Sequence, residues 1–162
     1  MKSVRLILRF ALVLAILISS TTAFAGNYHV EIIVFQNNGA AHSGNYNADG
    51  PAPAPSYGKT WPMKRSYLGG YAKKLRNSPS YTILQHTAWG QKSAPYSSSA
   101  AGRLSANGLQ GWVKIYAPSL LFTQLDISAN GQRLQERRRL KLNEVHFFDH
   151  EGFGVLLRVS RS

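Results

Sequence analysis

Residues 136–159 carry the sequence ERRRLKLNEVHFFDHEGFGVLLRV, and this stretch decides the fold class of the 162-residue chain. Successive side chains of a β-strand point to opposite faces, so a period of two sorts residues 134–148 into two sets. One set is mostly apolar: Leu134, Arg138, Leu140, Leu142, His146 and Phe148. The other begins with three cations: Arg137, Arg139, Lys141, Val145 and Phe147. Gly152 and Gly154 then allow a turn before a closing strand at 155–159, so the stretch predicts two strands joined by a turn.

Arg137, Arg139 and Lys141 form a row of cations at spacing two on one predicted strand face. Neighbours in this row stand about 7 Å apart, which suits anionic groups on an extended polymer. The same pattern is typical of a core hairpin whose solvent face happens to be cationic, and both interpretations stay open. Trp89 and Trp112, on other predicted strands, are candidates to stack on sugar rings or to fill the core.

The first 25 residues have the pattern of a secretory signal peptide. Basic residues precede a nine-residue apolar run at 10–18, and the sequence AFA at 23–25 supplies a small-x-small cleavage pattern. Cleavage is therefore predicted after Ala25, leaving residues 26–162 as one exported domain in the periplasm. The apolar run is short for a bilayer span and no second one follows, so no integral membrane segment is expected after cleavage.

The exported domain is strongly basic and has no cysteine. Outside residues 1–25 there are 16 Lys or Arg and 7 Asp or Glu residues, a net charge of +9. Outside the inner membrane the abundant polyanions are peptidoglycan carboxylates, lipopolysaccharide phosphates and anionic lipids, so nucleic acid is not an expected partner. The absence of cysteine excludes disulfides and thiolate metal sites.

Residues 28–35 are predicted to form a central strand, because apolar residues occupy both of its faces. Glu31 interrupts this pattern and is expected to pair with an Arg or His from a neighbouring strand. Further strands are predicted at 81–89 and within 109–127, where Pro118 marks a break. Asn130-Gly131 is a hairpin turn that leads into the basic strand.

Residues 66–77 predict the one main helix of the chain. Leu68, Tyr71 and Leu75 recur at helical spacing, and Ser66 is placed to cap the first turn. Residues 36–65 are rich in Gly, Asn, Ser, Ala and Pro and predict a flexible loop, and 92–107 a second loop. The expected fold is α+β, with a β-α-β opening and a mostly antiparallel sheet of five or six strands that carries the helix on one face.

Three segments of the chain resemble the CsiV family of periplasmic peptidoglycan-binding proteins. The strongest runs through RRLK at 138–141, EVHFFDH at 144–150 and FGVL at 153–156, and is similar to a family signature of RRMR, ELHYFDHP and FGVL. YHVEIIVF at 28–35 and AWGQ at 88–91 match two weaker family motifs in the same order. The motif residues Arg138, Glu144, His146, Asp149 and His150 are expected to be structural.

The resemblance implies a non-catalytic periplasmic accessory protein that binds peptidoglycan and assists cell-wall synthesis. It also implies a peptidoglycan synthase, or the lipoprotein activator of that synthase, as possible protein partners. The candidate ligand-binding residues are Arg137, Arg139, Lys141, Trp89 and Trp112, with no cofactor and no metal.

Two alternatives stay open beside this hypothesis. One is a metal-dependent envelope hydrolase that uses His146, Asp149 and His150, since His and Asp are zinc ligands and a basic rim would hold an anionic substrate. The other is a general binder of envelope polyanions. An enzyme is not expected, because the chain has neither cysteine nor a Gly-x-Ser-x-Gly nucleophile motif.

Overall fold

The computed structural model describes residues 26–39, 50–55 and 58–162, so the predicted signal peptide lies outside the described residues. The described chain is β-rich, with antiparallel strand pairs and a single short helix. Its elements are β1 (Asn27–Asn37), β2 (Thr60–Pro62), α1 (Gly69–Arg76), β3 (Tyr81–Lys92), β4 (Ala101–Ala106), β5 (Leu109–Tyr116), β6 (Phe122–Ala129), β7 (Gln132–Arg139), β8 (Val145–Asp149) and β9 (Phe153–Arg161). The predicted antiparallel character is confirmed, and the α+β class is met only loosely.

The strands form two sheets, so the prediction of one sheet with five or six strands is wrong. Sheet A has the order β2-β3-β1-β9-β8, and sheet B has the order β4-β5-β6-β7. Apolar side chains from both sheets meet in one buried cluster, which includes Val30, Ile32 and Leu157 from sheet A and Val113 and Leu125 from sheet B. The main core therefore lies between the two sheets.

Strand β1 is the central strand of sheet A, as its two apolar faces predict. Val30, Ile32 and Val34 contribute to the core between the sheets, whereas Ile33 and Phe35 belong to a second cluster on the opposite face. Strands β1 and β3 are antiparallel neighbours, so the predicted β-α-β opening, which requires parallel strands, is wrong.

Helix α1 packs on the face of sheet A that points away from sheet B. Leu68, just before the helix, and Ala72 are buried against Ile33 and Phe35. Tyr71 was expected on this apolar face but is 45% exposed, because Ala72 and not Tyr71 points to the sheet. The helix begins at Gly69, later than predicted, and no side chain caps its first turn.

The basic stretch at 134–149 is not one continuous strand. Strand β7 ends at Arg139 in sheet B, and β8 begins at Val145 in sheet A. Between them Leu140 is buried in the core, and Asn143 has a positive φ of 64° that interrupts the extended backbone. A period of two holds on both sides of this connection but does not reveal that it crosses from one sheet to the other.

The two predicted loops contain strands. Within 36–65, residues 60–62 form β2 on the edge of sheet A, and β1 extends to Asn37. Within 92–107, residues 101–106 form β4 on the edge of sheet B. Both strands lie at sheet edges, where only one side needs a partner and apolar alternation is weak. The hairpin between β6 and β7 is confirmed: Asn130 and Gly131 both have positive φ, as a two-residue turn requires.

Within the described residues, no helix is long and apolar enough to cross a membrane.

Candidate functional site

The strand residues of sheet B that point away from the core form a basic surface, which we call the outer face of sheet B. The register of the four strands defines its members as Ala101, Arg103, Ser105, Gln110, Trp112, Lys114, Tyr116, Phe122, Gln124, Asp126, Ser128, Arg133, Gln135, Arg137 and Arg139. These strand positions include five cations and one carboxylate. The outer face therefore carries a strong positive charge together with three aromatic rings.

Arg137 and Arg139 lie on this face, as their spacing predicts, and both are exposed. The Arg137 guanidinium carbon is 5.7 Å from the centroid of the Tyr116 ring and 5.8 Å from that of the Phe122 ring. The two rings are stacked, with centroids 5.7 Å apart. A cation above aromatic faces is held in place without being neutralised, so Arg137 keeps its charge available to an anionic ligand.

Lys114 is the one fully buried cation of the outer face. Its Nζ lies 4.5 Å from the centroid of the Tyr96 ring, which also contacts Tyr116 edge-on at 5.0 Å. Burial lowers the pKa of Lys114 below its usual value. Tyr96 therefore closes one end of the outer face, and the exposed cations are Arg103 on β4 and Arg137 and Arg139 on β7.

Asp126 is the one carboxylate of the outer face, and its side chain is only 2% exposed. Arg133 donates two hydrogen bonds of 2.8 Å to its two oxygens, and Gln135 donates a third of 3.1 Å. Burial alone would raise the pKa of Asp126, but Arg133, the backbone N–H of Ala52 and Gln135 outweigh it and hold the pKa low. Asp126 is therefore an ionised acceptor on an otherwise basic surface.

Residues 50–55 lie against this carboxylate. The N–H of Ala52 donates to Asp126 Oδ2 at 3.0 Å, and the indole N–H of Trp112 donates to the Ala52 carbonyl at 2.9 Å. A cavity of about 350 Å³ adjoins this contact and is lined by Ala52, Trp112, Gln124, Leu125, Asp126, Gln135, Glu136 and Arg137. Residues 50–55 of the predicted flexible loop are thus anchored to the outer face.

Two of the five predicted ligand-binding residues do not belong to this surface. Lys141 follows the end of β7 and its Nζ lies 3.6 Å from Glu144 Oε1 in an exposed ion pair. Trp89 is 7% exposed in the core between the sheets, where its indole donates to Gln91 and covers Gly102, whose missing Cβ makes room for it. The prediction of a three-cation row is wrong because the strand ends before Lys141, and Trp89 is a core residue.

Arg138 points to the opposite side of β7 from Arg137 and Arg139, as predicted. It pairs with Glu136 on the same strand. It also donates to the Phe147 carbonyl at 3.0 Å and lies 4.0 Å from the centroid of the Phe148 ring. Arg138 therefore joins the edge of sheet B to β8 of sheet A.

The His and Asp residues of the motif at 144–150 do not form a cluster. The His146 ring lies 3.1 Å from the backbone N and O of Lys141, and the His150 ring stacks on Phe153 with centroids 5.0 Å apart. Asp149 is exposed. Over residues 26–39, 50–55 and 58–162, no three His, Asp or Glu side chains come close enough to hold a metal ion. His146 instead braces the connection between β7 and β8.

Glu31 pairs with a histidine of the neighbouring strand, which confirms its structural interpretation. His86 Nε2 lies 2.7 Å from Glu31 Oε1, and the Ser66 hydroxyl donates to the same oxygen at 2.6 Å. The N–H groups of Tyr67 and Leu68 donate to Oε2. Ser66 was expected to cap the helix itself, but Glu31 from β1 accepts the N–H groups that precede the helix.

A larger cavity, of about 600 Å³, lies at the β2 edge of sheet A. Trp61, Lys59 and Lys92 line it, and the β2–β3 register places the two lysines opposite each other. Neither lysine has an ion-pair partner among the described residues. This cavity has cations and one indole but lacks the buried hydrogen-bonding groups of the outer face of sheet B, which we therefore regard as the better site.

The sequence interpretation missed Tyr116, Phe122 and Asp126 as members of the site. The alternation of side chains along β5 puts Tyr116 on the same strand face as Trp112, so the sequence could have predicted Tyr116 as a member of this surface. Asp126 is the only acid between residues 50 and 135, and it interrupts an apolar strand. That interruption is the same signal that identified Glu31, and it could have identified Asp126.

Comparison of the chain with family models, with curated proteins and with solved structures gives no match.

Proposed function

We propose that the protein is a non-catalytic periplasmic accessory protein that binds peptidoglycan through the outer face of sheet B. The observation that carries the proposal is the convergence of Arg137, Arg139 and Trp112 with two further aromatic rings on one basic surface. The signal-peptide pattern at 1–25 and the motifs at 138–156 support export and a role at the cell wall.

Peptidoglycan offers groups that fit both components of this surface. Its peptides carry carboxylates, which the planar guanidinium of arginine binds with two parallel hydrogen bonds. Alternate residues on one strand face are about 7 Å apart, so Arg137 and Arg139 can contact successive charges on an extended chain. Of the aromatic rings beside them, Trp112 and Tyr116 are buried, and the half-buried Phe122 offers apolar contact area, which a polyanion of phosphates alone would not use.

The protein partner proposed from the motif resemblance is a peptidoglycan synthase or its lipoprotein activator. A wall-bound accessory protein would hold such a partner near its substrate and raise the effective concentration of the complex. The general polyanion binder is the second candidate, since the exposed Arg103, Arg137 and Arg139 on one face would also attract lipopolysaccharide phosphates. The two differ in their dependence on salt, because contacts made by charge alone are screened.

The test is retention on purified sacculi of the mature protein and of an Arg137→Gln/Arg139→Gln variant. Both side chains are exposed, so the free energy of unfolding should change by less than about 1 kcal/mol. Retention at physiological salt should fall by about tenfold, because charge-assisted contacts to carboxylates are lost. Lys73→Gln/Lys74→Gln on helix α1 is the matched control, since it removes the same charge from an exposed site elsewhere.

Equal losses in the two double variants would mean that net charge alone holds the protein on the wall. Retention of the wild type on lipopolysaccharide as strong as on sacculi would favour the general polyanion binder. Retention unaffected by Arg137→Gln/Arg139→Gln would contradict the placement of the site.

A further inference from the structure

Residues 50–55, which we call the strap, contact sheet B. In this strap contact, side chains of the sheet form hydrogen bonds with backbone groups of the strap. Trp112 on β5 and Asp126 on β6 are direct register partners across the two strands. One donates to the carbonyl of Ala52 and the other accepts from its N–H, at 2.9 and 3.0 Å. Both polar groups of a single residue are thus satisfied by one pair of side chains, as a neighbouring strand would satisfy them.

The Asp126 carboxylate on the sheet B side of this contact is held in place without the strap. Arg133 and Gln135 orient the Asp126 carboxylate through three hydrogen bonds. Trp112 is 5% exposed although it stands on the outer face. A buried carboxylate and a buried indole N–H need hydrogen-bond partners, and the face presents both to whichever segment lies across it.

The strap contributes few hydrogen-bonding groups and no buried apolar side chain to the contact. Pro51, Pro53 and Pro55 have no backbone N–H, and the hydrogen bonds to sheet B from the described strap residues come from Ala52 alone. Ala52 is itself exposed, and none of the strap residues belongs to either apolar cluster. A segment attached by the backbone of one residue can be exchanged for another segment with the same groups.

The cavity beside the strap contact is large enough for such an exchange. Its volume of about 350 Å³ lies within the range of small-ligand sites. Gln124 and Gln135 supply amides along its wall, and Arg137 supplies a cation at one side. A ligand that reaches from the Ala52 position to Arg137 would place a backbone amide at the first and a carboxylate at the second.

We infer that the outer face of sheet B recognises the peptide part of the wall, with a backbone amide unit of the wall peptide in the position of Ala52. This inference rests on the proposed function and deepens it. The strap is an internal competitor that satisfies Asp126 and Trp112 until an acidic peptide displaces it. Because the strap is covalently attached, its local concentration is high, so isolated peptides bind weakly and the repeated peptides of a sacculus bind well.

The test replaces the one strap residue that carries the contact. Ala52→Pro removes the N–H that Asp126 accepts, and it extends an existing proline-rich run without new flexibility. Ala54→Pro is the matched control, because the backbone of Ala54 makes no hydrogen bond to another described residue. The probes are a soluble stem peptide of sequence L-Ala-γ-D-Glu-diaminopimelate-D-Ala and peptide-free glycan chains, titrated by calorimetry.

Ala52→Pro should bind the stem peptide about fivefold more tightly than the wild type, the factor that one backbone hydrogen bond of ordinary net strength supplies. Ala54→Pro should bind like the wild type. Adding Trp112→Phe to Ala52→Pro should weaken binding again severalfold, because the ring remains and the indole donor is lost. Peptide-free glycan chains should bind none of these proteins measurably.

Equal peptide affinity in the wild type and Ala52→Pro would overturn the competition between strap and ligand. Binding of peptide-free glycan in place of the stem peptide would overturn the assignment to peptide, while retention on sacculi would leave the proposed function standing. Failure of the wild type to bind sacculi at all would instead overturn the proposed function. Thermal unfolding of each variant, with a midpoint close to that of the wild type, establishes that the differences arise in folded protein.

Discussion

Glu31 and Asp126 are the two buried carboxylates of the described chain, and they hold their neighbouring segments in different ways. Each accepts backbone N–H groups from a segment distant in sequence: Glu31 from residues 67 and 68, Asp126 from Ala52. Hydrogen bonds outweigh burial at both, so the pKa of each carboxyl lies below its usual value.

The segment held by Glu31 and the strap held by Asp126 differ in the apolar contacts that attach them to the protein. The segment at Glu31 continues into helix α1, where Leu68 and Ala72 are buried against Ile33 and Phe35. The strap at Asp126 adds no side chain to either apolar cluster. The same hydrogen-bonding device therefore fixes part of the fold on sheet A and makes a replaceable contact on sheet B, because apolar burial accompanies only the first.

Replacing each carboxylate by its amide should separate the two roles most clearly. Glu31→Gln should lower the free energy of unfolding by about 3 kcal/mol, since an amide cannot accept from all four donors and one side of it becomes a donor. Asp126→Asn should cost about 1–2 kcal/mol, because Arg133 is 23% exposed and water can solvate it. Urea unfolding at pH 7 measures both.

Equal losses of unfolding free energy in the two variants would mean that both carboxylates hold their segments alike. A larger loss in Asp126→Asn would mean that the contact on sheet B is the more important one for the fold. His86→Gln is a useful companion variant to Glu31→Gln, since it removes one partner of Glu31 and leaves the backbone N–H bonds intact.

As the pH falls, protonation of His29 on sheet A should lower the free energy of unfolding before protonation of Asp126 on sheet B does. Burial lowers the pKa of His29 below 6.5, Glu31 opposes this shift, and Arg65 and Arg158 add to it. A lowered pKa means that stability is complete above the usual value and is lost as pH falls through the folded value. The free energy of unfolding should therefore begin to fall below pH 6.5, and fall further below 4.5 and 3.8 as Glu31 and Asp126 take up protons.

Unfolding of the wild type and of Asp126→Asn in urea from pH 7 to pH 2 measures this order. The variant should follow the wild type down to about pH 4 and then lose less stability, because it lacks the Asp126 carboxyl. If the free energies of unfolding of the wild type and of Asp126→Asn ran parallel over the whole pH range, the partners of Asp126 would not lower its pKa.

The smallest effect is expected for the strap itself. Ala52→Pro should change the free energy of unfolding by less than about 1 kcal/mol, because it removes one hydrogen bond and Asp126 keeps Arg133 and Gln135. Ala54→Pro provides the reference in thermal unfolding. A loss of several kcal/mol in Ala52→Pro alone would mean that the strap is part of the fold, as helix α1 is.

Local patterns predicted the elements that depend on near neighbours. The alternation of residues 28–35 indicated a central strand, and Asn130-Gly131 indicated the hairpin between β6 and β7. The helix was predicted to begin three residues too early. The N–H groups of Tyr67 and Leu68, which precede it, donate to Glu31, 36 and 37 residues away, and no side chain caps its first turn. Weak apolar alternation hid the edge strands β2 and β4, which carry few core residues.

The sequence by itself determined that Arg137 and Arg139 share one strand face, that Arg138 faces the other way, and that Glu31 needs a partner. These follow from a period of two and from the cost of burying an unpaired charge. Only the tertiary structure decided that β7 and β8 belong to different sheets, and that Trp112 and not Trp89 accompanies the arginines. It also brought Ala52 to Asp126 across 74 residues of sequence, a contact that no local pattern encodes. Such pairings depend on how two sheets pack around a shared core, and any period-two strand could lie in either sheet.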